Sequence, residues 1–398
     1  MGEDSAERIR SIRGRRILNS HVGLTNEFVI ELESGSMGVG ASPQGETISV
    51  YEDASTRSDV DVIIREILDA PLLDSPVSQT DFDEYLHGNM KRLGRNNCWA
   101  LSLAFFNAAQ HAPFGPWRIL GKSPKDFPRL CLNVLNGGRH AYTNPVLSDF
   151  PEYLMVPRDN DVSKMIHDHA GVQVEVRRRL ACCERLAVNQ NFVHRVGSGN
   201  NGDCISLLRD ILDHLGLDQD YQIMIDASAG DLWIDGSYQL ALTDGGSRSI
   251  DEMQEYWLEI MDEFGIGFLE DPMGEHDFEG WATLARNRSG CRIIGDNLYS
   301  SDARKIEEGS RNGYTHGAII KPNQAGTVSA ALRAIESCRR LDQIAITSHR
   351  SISTESPFLS LLTVLGGVRH MKIGPLLTDY SSVIRLNELI RLTGVEIG

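Results

Sequence analysis

The sequence is short of several features that would assign it to a specialised class of protein. Cysteine is scarce, with 7 among 398 residues, an odd number whose spacing fits neither a disulfide framework nor a paired CxxC zinc site. No apolar run approaches the roughly 18 residues that span a bilayer, and the polar N-terminus lacks the apolar core of a signal peptide. These absences predict a cytoplasmic protein with reduced thiols and no membrane partner.

Positive charge is also in short supply. The chain carries 39 Lys and Arg against 55 Asp and Glu, a net charge of −16. Nucleic acids and anionic membranes bind basic surfaces, so this balance argues against both as partners. The longest basic run, Arg177 to Arg179, lies in a helical pattern and is interpreted as a solvated helix face.

Apolar residues make up 41% of the chain, enough for a large core. Their pattern along the chain distinguishes two regions. The elements predicted in the first region are strands at 26–33 and 37–41 and helices at 58–69 and 96–110. Residues 111–128 then hold four prolines and two glycines, which is typical of a domain boundary. We therefore predict an α+β domain over residues 1–122 and a second domain over residues 123–398.

The second region alternates short β-rich runs with amphipathic helices, the pattern of a parallel sheet. The β-rich runs lie at 222–228, 265–272, 291–297, 316–323, 343–350 and 370–374. A polar residue ends the apolar part of each run: Asp226, Glu270, Asp296, Lys321, His349 and Lys372. After the first step these residues are 23 to 28 positions apart, about one βα unit each. A closed barrel of such units would gather all six at its carboxyl end, where barrel active sites lie.

The predicted ring has the residue types for proton abstraction beside a metal. Three carboxylates on consecutive strands, Asp226, Glu270 and Asp296, are hard oxygen ligands that suit Mg²⁺, while a Cys/His cluster for zinc is missing. Lys321 on the next strand would act as the general base, removing a proton α to a carboxylate while the metal stabilises the ene-diolate. The following strands would add substrate contacts for a phosphate or phosphonate: His349, Arg350, Ser351 and Lys372.

A glycine-rich segment offers a competing hypothesis. Residues 197–202, GSGNNG, satisfy the G-x-G-x-x-G pattern of dinucleotide-binding proteins and precede a predicted helix. The residues before them, 189–196, are too polar for a buried parallel strand, and Asp226 is better explained by the barrel pattern. We therefore interpret the segment as a glycine loop and not as a cofactor site.

The chain resembles the enolase family over nearly its whole length. The segments that carry the resemblance are Arg16 to Ser20, residues 93–109, Asn133 to Ala141, Phe268 to Pro272, Gly295 to Leu298, Ile320 to Gly326, Ser348 to Ser351 and Met371 to Gly374. They are similar, in order, to the family's N-terminal strand, its LGANAILGVSLAVAKAA helix, and its NVINGGSHA, EDP, GDDL, LKVNQIG, SHRS and IKTG motifs. As an ordered set these motifs are highly specific.

The resemblance implies a fold, a cofactor and further site residues. It implies an α/β fold, an N-terminal α+β domain followed by a modified TIM (β/α)8 barrel, with Mg²⁺ on the three carboxylates and Lys321 as base. Glu152 matches the carboxylate of the family's QEF motif, and His140 matches its mobile-loop histidine. The family also suggests a homodimer formed through the N-terminal domain near Arg15 and Arg16.

Departures from the family pattern bear on the reaction. Gly199 stands where the GDEGG glutamate, the acid that protonates the departing hydroxide, is expected, and Pro151 replaces the glutamine of QEF. In the loop that matches PSGASTG, Thr47 aligns with the serine that helps to bind a second Mg²⁺, and Glu46 is a new charge. Both are expected to contact the substrate.

These changes favour a specialised lyase or synthase over an ordinary enolase. The branch that fits them is the carboxyphosphonoenolpyruvate synthase type of phosphonate and phosphinate antibiotic biosynthesis. Two alternatives stay open. One is phosphopyruvate hydratase, converting 2-phosphoglycerate to phosphoenolpyruvate with a substitute acid such as Glu46, Glu152 or Asp203; the other is a non-catalytic homologue that serves as a binding protein.

Overall fold

The computed structural model describes residues 6–45, 48–52, 59–109, 127–138, 143–188, 191–243, 245–287, 289–376 and 378–397. Its strands are β1 (Ile9–Leu18), β2 (Leu24–Leu32), β3 (Met37–Ala41), β4 (Arg129–Asn136), β5 (Glu152–Pro157), β6 (Glu184–Val188), β7 (Asn191–Arg195), β8 (Tyr221–Asp226), β9 (Trp233–Ile234), β10 (Ser237–Leu240), β11 (Gly246–Arg248), β12 (Phe268–Glu270), β13 (Arg292–Gly295), β14 (Gly317–Ile320), β15 (Ile344–Ser348) and β16 (His370–Lys372).

Helices connect most of these strands. They are α1 (Val60–Leu68), α2 (Gln79–Gly88), α3 (Met90–Leu93), α4 (Arg95–Ala109), α5 (Val162–Leu180), α6 (Asn201–His214), α7 (Ile250–Phe264), α8 (Phe278–Ala285), α9 (Ala303–Asn312), α10 (Pro322–Ala325), α11 (Val328–Arg340), α12 (Phe358–Gly366) and α13 (Tyr380–Thr393), with short 3-10 helices at Pro71–Asp74 and Ala229–Leu232. Each helix in this part of the chain is too short or too polar to cross a membrane.

The N-terminal region packs an antiparallel sheet, in the order β1-β2-β3, against helices. The strands predicted at 26–33 and 37–41 are β2 and β3, which pair as an antiparallel hairpin. The helix predicted at 96–110 is α4, whose residues are mostly inaccessible to solvent. The sheet approaches this helix closely because β3 has glycine on its inner face. A Cβ atom on Gly38 or Gly40 would collide with the backbone oxygens of Ala104 or Ala100.

The second region is the predicted closed barrel of eight strands, in the order β4-β5-β8-β12-β13-β14-β15-β16. Strand β5 runs antiparallel to both of its neighbours, β4 and β8, while the other neighbouring pairs are parallel. The barrel therefore opens with an antiparallel pair, which makes it a modified (β/α)8 barrel, the fold that the family resemblance implied. The parallel strands all present their carboxyl ends on the same side.

Buried hydrogen bonds connect the N-terminal region to the barrel. The first turn of α11 donates backbone N–H groups across the interface, from Val328 to Ser102 Oγ (2.9 Å) and from Ser329 to Asp83 Oδ2 (2.8 Å). Asp83 and Ser102 are completely buried, and leaving a buried donor or acceptor unpaired costs about 1–3 kcal/mol. The predicted domain boundary between residues 122 and 123 lies outside the described residues and stays a prediction.

The cysteines match the expectation of unpaired thiols. Cys98, Cys131, Cys204, Cys291 and Cys338 are buried, and all seven cysteines are free. Only the adjacent Cys182 and Cys183, just beyond the end of α5, are exposed or half-buried. Burial raises the pKa of the five buried thiols to about 12, so they remain protonated and inert at neutral pH.

Candidate active site

Strand register places the predicted polar residues around the carboxyl end of the barrel. Glu270 is directly paired with Asp226 on the neighbouring strand, and Lys372 is paired with Ser348. Asp296 and Lys321 come immediately after β13 and β14. The antiparallel strand β5 brings its first residue to the same end, because Glu152 is paired with Asp226 on β8.

Lys372 lies at the centre of the carboxylates. Its Nζ is 2.7 Å from Glu152 Oε2, 2.9 Å from Asp226 Oδ2 and 2.8 Å from Glu270 Oε2. The Lys372 side chain is 4% exposed and that of Glu270 is fully buried, so solvent screens these contacts very little. One ammonium therefore holds together carboxylates from three strands.

The pKa values in this cluster reflect a competition between burial and charge. Burial by itself lowers the pKa of Lys372, but the carboxylates of Asp226, Glu152 and Glu270 outweigh it and raise that pKa well above the usual range. Burial, and then the Asp226 carboxylate, raise the pKa of Glu270 well above its usual value. Burial opposes ionisation of Asp226 too, yet Lys372 and then Lys321 lower its pKa. Lys372 therefore stays charged while the neighbouring carboxylates compete for it.

The candidate base, Lys321, sits beside a second carboxylate. Its Nζ contacts Asp296 Oδ2, and both side chains are largely buried, at 13% and 5% exposed. Its backbone N–H donates to Ser301 Oγ at 2.8 Å, which fixes the point where the chain leaves β14. The structure therefore brings the lysine to the ring position that the sequence pattern predicted; its role as base is untested by these contacts.

On β15 the residue paired with Lys372 is Ser348, and His349 comes one residue later. The Nδ1 atom of His349 is 2.9 Å from the carbonyl oxygen of Arg350. A carbonyl only accepts, so Nδ1 carries the proton and Nε2 is left as an acceptor. Burial, and then the Arg385 guanidinium, lower the pKa of His349 well below its usual value, so the neutral imidazole persists at physiological pH.

Arg350, predicted to bind the substrate anion, makes an ion pair with a residue that the sequence interpretation did not single out. Its Nη1 is 3.1 Å from Glu52 Oε1, with side-chain exposures of 3% for Arg350 and 7% for Glu52. The segment before Glu52 reaches the barrel end through a β-bridge between Gln44 and Ile352. Ser49 Oγ then donates to the backbone oxygen of Asn297, adjacent to the ring.

A cavity of about 660 Å³ opens beside the ring. The described residues that line it include Asn133, Asn136, Glu152, His349, Ser351 and Thr378. Its outer part reaches Asn19 to His21 from the N-terminal region and Tyr380 at the start of α13. The predicted residues Glu152, His349 and Ser351 therefore share one cavity, whereas Glu46, Thr47 and His140 lie outside the described residues.

The glycine-rich segment is not a dinucleotide site. The strand before it, β7, pairs antiparallel with β6 in a two-stranded sheet outside the barrel, so the parallel strand of that motif is missing here. The Asp203 carboxylate accepts hydrogen bonds from the Ser198 N–H (2.7 Å), the Gly199 N–H (3.0 Å) and the Ser198 hydroxyl (2.8 Å). Asp203 therefore caps α6 and orders its own loop, which speaks against it as a substitute acid.

Gly199 needs its glycine for conformational reasons. Its φ is +93°, a region that other residues rarely adopt. A Cβ atom at this position would lie 2.9 Å from Arg195 Nε. Replacing Gly199 by glutamate would therefore strain the loop, and this position is a poor one at which to restore an acid.

Sequence reasoning missed two members of the ring and one of its neighbours. Asn133 on β4 donates through Nδ2 to Glu152 Oε1 at 2.9 Å, and Ser348 ends β15. Each lies two residues after an apolar residue of the barrel interior. Because side chains alternate along a strand, this spacing could have identified both as members of the ring. Glu52 had no such signal, because its contact with Arg350 joins residues 298 positions apart in the chain.

The described carboxylates are not already arranged around a metal position. In the described ranges, no group of three or more His, Cys, Asp or Glu has the arrangement of a metal site. Lys372 occupies one oxygen each of Asp226 and Glu270. Two other buried oxygens, Glu270 Oε1 and Asp296 Oδ1, have no hydrogen-bond partner among the described residues, and such acceptors usually imply an absent ligand or ion.

Comparison with known proteins gives one consistent family. The family model described as "Enolase, C-terminal TIM barrel domain" matches residues 125–397. A curated protein named "Enolase" from Natronomonas pharaonis is 29% identical over 400 aligned positions, which cover 96% of this chain and 98% of that protein.

Proposed function

This chain belongs to the enolase family, and from that premise we propose that it removes the proton α to a carboxylate of a small phospho- or phosphono-carboxylate. The observation that carries the proposal is Lys321, which lies beside Asp296 at the carboxyl end of the family's barrel. In this reading Lys321 is the group that takes the proton, and Asp296 is placed to stabilise the ammonium that forms.

The other ring residues would bind and orient the substrate. His349, whose Nε2 is an acceptor, and Ser351 line the cavity that also contains Glu152. Lys372 neutralises part of the negative charge of the ring and would attract the substrate's carboxylate. Arg350 would bind its phosphate or phosphonate through two parallel N–H groups.

The chemistry of the ring carboxylates suits a bound Mg²⁺, although the described residues are not already arranged as a metal site. Four carboxylates, those of Glu152, Asp226, Glu270 and Asp296, face the two ammonium groups of Lys321 and Lys372, which leaves a charge of −2. Burial and the neighbouring Asp226 carboxylate both oppose ionisation of Glu270 and raise its pKa, as expected where negative charge is in excess. Asp226, Glu270 and Asp296 would hold the ion, which when bound supplies positive charge that makes the substrate's α-proton more acidic.

For the specific reaction we favour one like that of carboxyphosphonoenolpyruvate synthase. Two observations support it. The position that matches the family's acid is Gly199, whose conformation excludes an ordinary side chain. The cavity of about 660 Å³ falls within the 300–1,000 Å³ typical of pockets for drug-sized ligands, which leaves space beyond a three-carbon acid.

Phosphopyruvate hydratase is the second candidate. Glu152 lines the cavity and is held by Asn133 and Lys372, so a carboxyl group that could serve as a substitute acid is present. The relative named "Enolase" aligns over nearly its whole length. A non-catalytic binding role is disfavoured, because clustering four carboxylates, three of them buried, is costly and has no evident use without a cation or a reaction.

The experiment that tests the proposal pairs two assays on purified protein with Mg²⁺ and 2-phosphoglycerate. NMR in deuterated water measures exchange of the α-proton, and absorbance measures the enol product. We expect exchange to proceed, while elimination lags by about 10²–10⁴-fold, the usual cost of removing a positioned acid.

Each other outcome has a definite meaning. Elimination as fast as exchange would favour the hydratase and identify a substitute acid, with Glu152→Gln as the variant to test. Absence of both reactions with 2-phosphoglycerate and with a phosphonate analogue would contradict the proposed chemistry.

We also propose that the protein is a cytoplasmic homodimer joined through its N-terminal sheet. Met37 and Val39 are exposed on the outer face of that sheet, at 61% and 44%, and Arg15 pairs there with Glu27. An apolar patch bordered by charges is typical of a protein interface. Light scattering at micromolar concentration should give twice the 44.1 kDa chain mass, and a monomer mass would contradict the proposal.

A further inference from the structure

The guanidinium assigned to the substrate's anionic group is already engaged by a carboxylate of this chain. Arg350 Nη1 lies 3.1 Å from Glu52 Oε1 and 3.2 Å from Glu52 Oε2, and Nη2 lies 3.3 Å from Glu52 Oε2. Both side chains are more than nine-tenths buried. This paired geometry is the one in which guanidinium also binds phosphate.

Other contacts link Glu52 to the catalytic end of the barrel. Gln324 Nε2 donates to Glu52 Oε2 at 3.4 Å, and Gln324 Oε1 accepts from Ser301 Oγ at 3.0 Å. The same Ser301 hydroxyl accepts the backbone N–H of Lys321. Glu52 therefore lies at the end of a short chain of hydrogen bonds that begins at the candidate base.

The two N–H groups of Arg350 that point at Glu52 cannot serve two bidentate partners at once. An anion that approaches this same edge of the guanidinium must displace the carboxylate, and the exchange is favourable only when the new partner interacts more strongly than the carboxylate does. A dianionic phosphoryl or phosphonyl group carries more charge and more acceptor oxygens than a singly charged carboxylate, so it meets this condition.

We propose that Glu52 is a specificity-determining residue that occupies Arg350 and yields it to a phosphoryl or phosphonyl dianion, but not to a carboxylate. This inference rests on the proposed function, because it assumes that Arg350 binds the anionic group of the substrate. It predicts that Glu52 lowers the affinity for every anion and thereby excludes the weak ones.

The test is isothermal titration of the Mg²⁺-loaded full-length protein with inorganic phosphate and with acetate. Glu52→Gln keeps the size of the side chain and removes its charge. We expect this variant to bind phosphate about tenfold more tightly than the wild type, a difference of about 1.4 kcal/mol, and to gain measurable acetate binding. Replacing Arg350 by methionine in the same variant should remove both gains.

A matched control separates a specific effect from a general change in charge. Glu33→Gln also removes one carboxylate of an ion pair in the N-terminal region, but that pair is exposed and is formed with Arg8 instead of Arg350. Its phosphate affinity should equal that of the wild type. An equal gain in this control would overturn the inference.

The opposite result has a clear structural meaning. If Glu52→Gln binds phosphate more weakly, or with unchanged affinity, then Glu52 merely positions Arg350 and the inference is wrong. Should thermal unfolding show that this variant does not fold, Glu52→Asp withdraws the carboxylate by one methylene and should show a smaller gain. An unchanged or lower affinity in that variant would also contradict the inference.

The proposed function is judged separately by the α-proton exchange assay. If exchange proceeds but neither the wild type nor Glu52→Gln binds phosphate, the inference about Glu52 is wrong and the proposed chemistry stands. If exchange fails while Glu52→Gln shows the expected gain, the anion site stands and the reaction must be sought elsewhere.

Discussion

His370 and Lys372 lie two residues apart on strand β16 and are both buried, but their pKa values are shifted in opposite directions. Burial, and then the guanidiniums of Arg129 and Arg369, lower the pKa of His370 to about 4. Burial also lowers the pKa of Lys372, but three carboxylates raise it well above its usual range. The comparison shows that burial alone does not decide whether a group is charged in this barrel; the neighbouring layer does.

The same contrast holds around the whole barrel. The inner layer, to which His370 belongs by position, is apolar on the other strands: Cys131, Leu154, Met224, Phe268, Ile294, Ile319 and Ile346. Two positions away along each strand lie the residues of the polar ring: Asn133, Glu152, Asp226, Glu270, Asp296, Lys321, Ser348 and Lys372. Because side chains alternate along a strand, the two sets share the barrel interior as neighbouring layers. The apolar layer excludes water from beneath the charges and strengthens their interactions.

The largest effect is expected from a substitution in the polar layer and concerns the rate of α-proton exchange. Replacing Lys321 by methionine should slow α-proton exchange by about 10²–10⁴-fold, since the general base is lost. Lys164→Met is the matched control, because Lys164 also pairs with a carboxylate, Asp168 at 2.7 Å, but on α5 outside the ring. NMR exchange rates measure both. Equal rates in the wild type and Lys321→Met would remove Lys321 from the mechanism.

The second effect concerns the cation that the polar layer is expected to hold. Glu270→Gln removes a ligand charge while keeping the shape of the side chain, so Mg²⁺ affinity should fall by at least about 100-fold, more than is typical for residues that only support a ligand. Glu388→Gln alters a buried glutamate of α13 outside the ring and should have no such effect. Calorimetric titration with MgCl₂ decides, and unchanged affinity in Glu270→Gln would disprove the assignment.

A third prediction concerns the apolar layer. The folded-state pKa of His370, about 4, is below the unfolded value of 6.5, so the unfolded chain binds more protons between these pH values. Its contribution is therefore fully present above pH 6.5 and is lost as pH falls to 4, a loss of about 3 kcal/mol. In His370→Gln the acid-dependent fall in the free energy of unfolding should be smaller by about this amount.

Urea unfolding at pH 7 and near pH 4 measures this difference. If the free energy of unfolding falls equally between pH 7 and pH 4 in the wild type and in His370→Gln, the inner layer tolerates a charge.

The smallest effect lies outside both layers, in the loop before α6. Asp203→Ala removes the N3 half of the capping box, in which Asn200 is the N-cap residue, and should lower the free energy of unfolding by about 1 kcal/mol. Proton exchange and elimination should be unaffected, because Asp203 is bonded to its own loop. A selective loss of elimination, with normal stability, would instead identify Asp203 as the acid.

Much of the site could be predicted because strand ends are encoded locally. Apolar runs ending in a charge gave Asp226, Glu270, Asp296, Lys321 and Lys372, and register carries such residues to one end of a closed barrel. On β15 the pattern pointed to His349, whereas the register position belongs to Ser348. The difference arises because both polar residues follow the apolar run, and only pairing with β16 distinguishes them.

The sequence by itself determined the fold class and the chemical character of the ring, because alternation of apolar and polar residues and the spacing of βα units are local properties. Only the tertiary structure decided which charges are paired. Three pairings show this: Lys372 contacts three carboxylates, Arg350 contacts Glu52, and Asp203 binds the backbone of its own loop. Each depends on distances between segments that lie far apart in the chain or fold back on themselves. Electrostatic energy varies with such distances and with burial, and neither is present in a linear pattern.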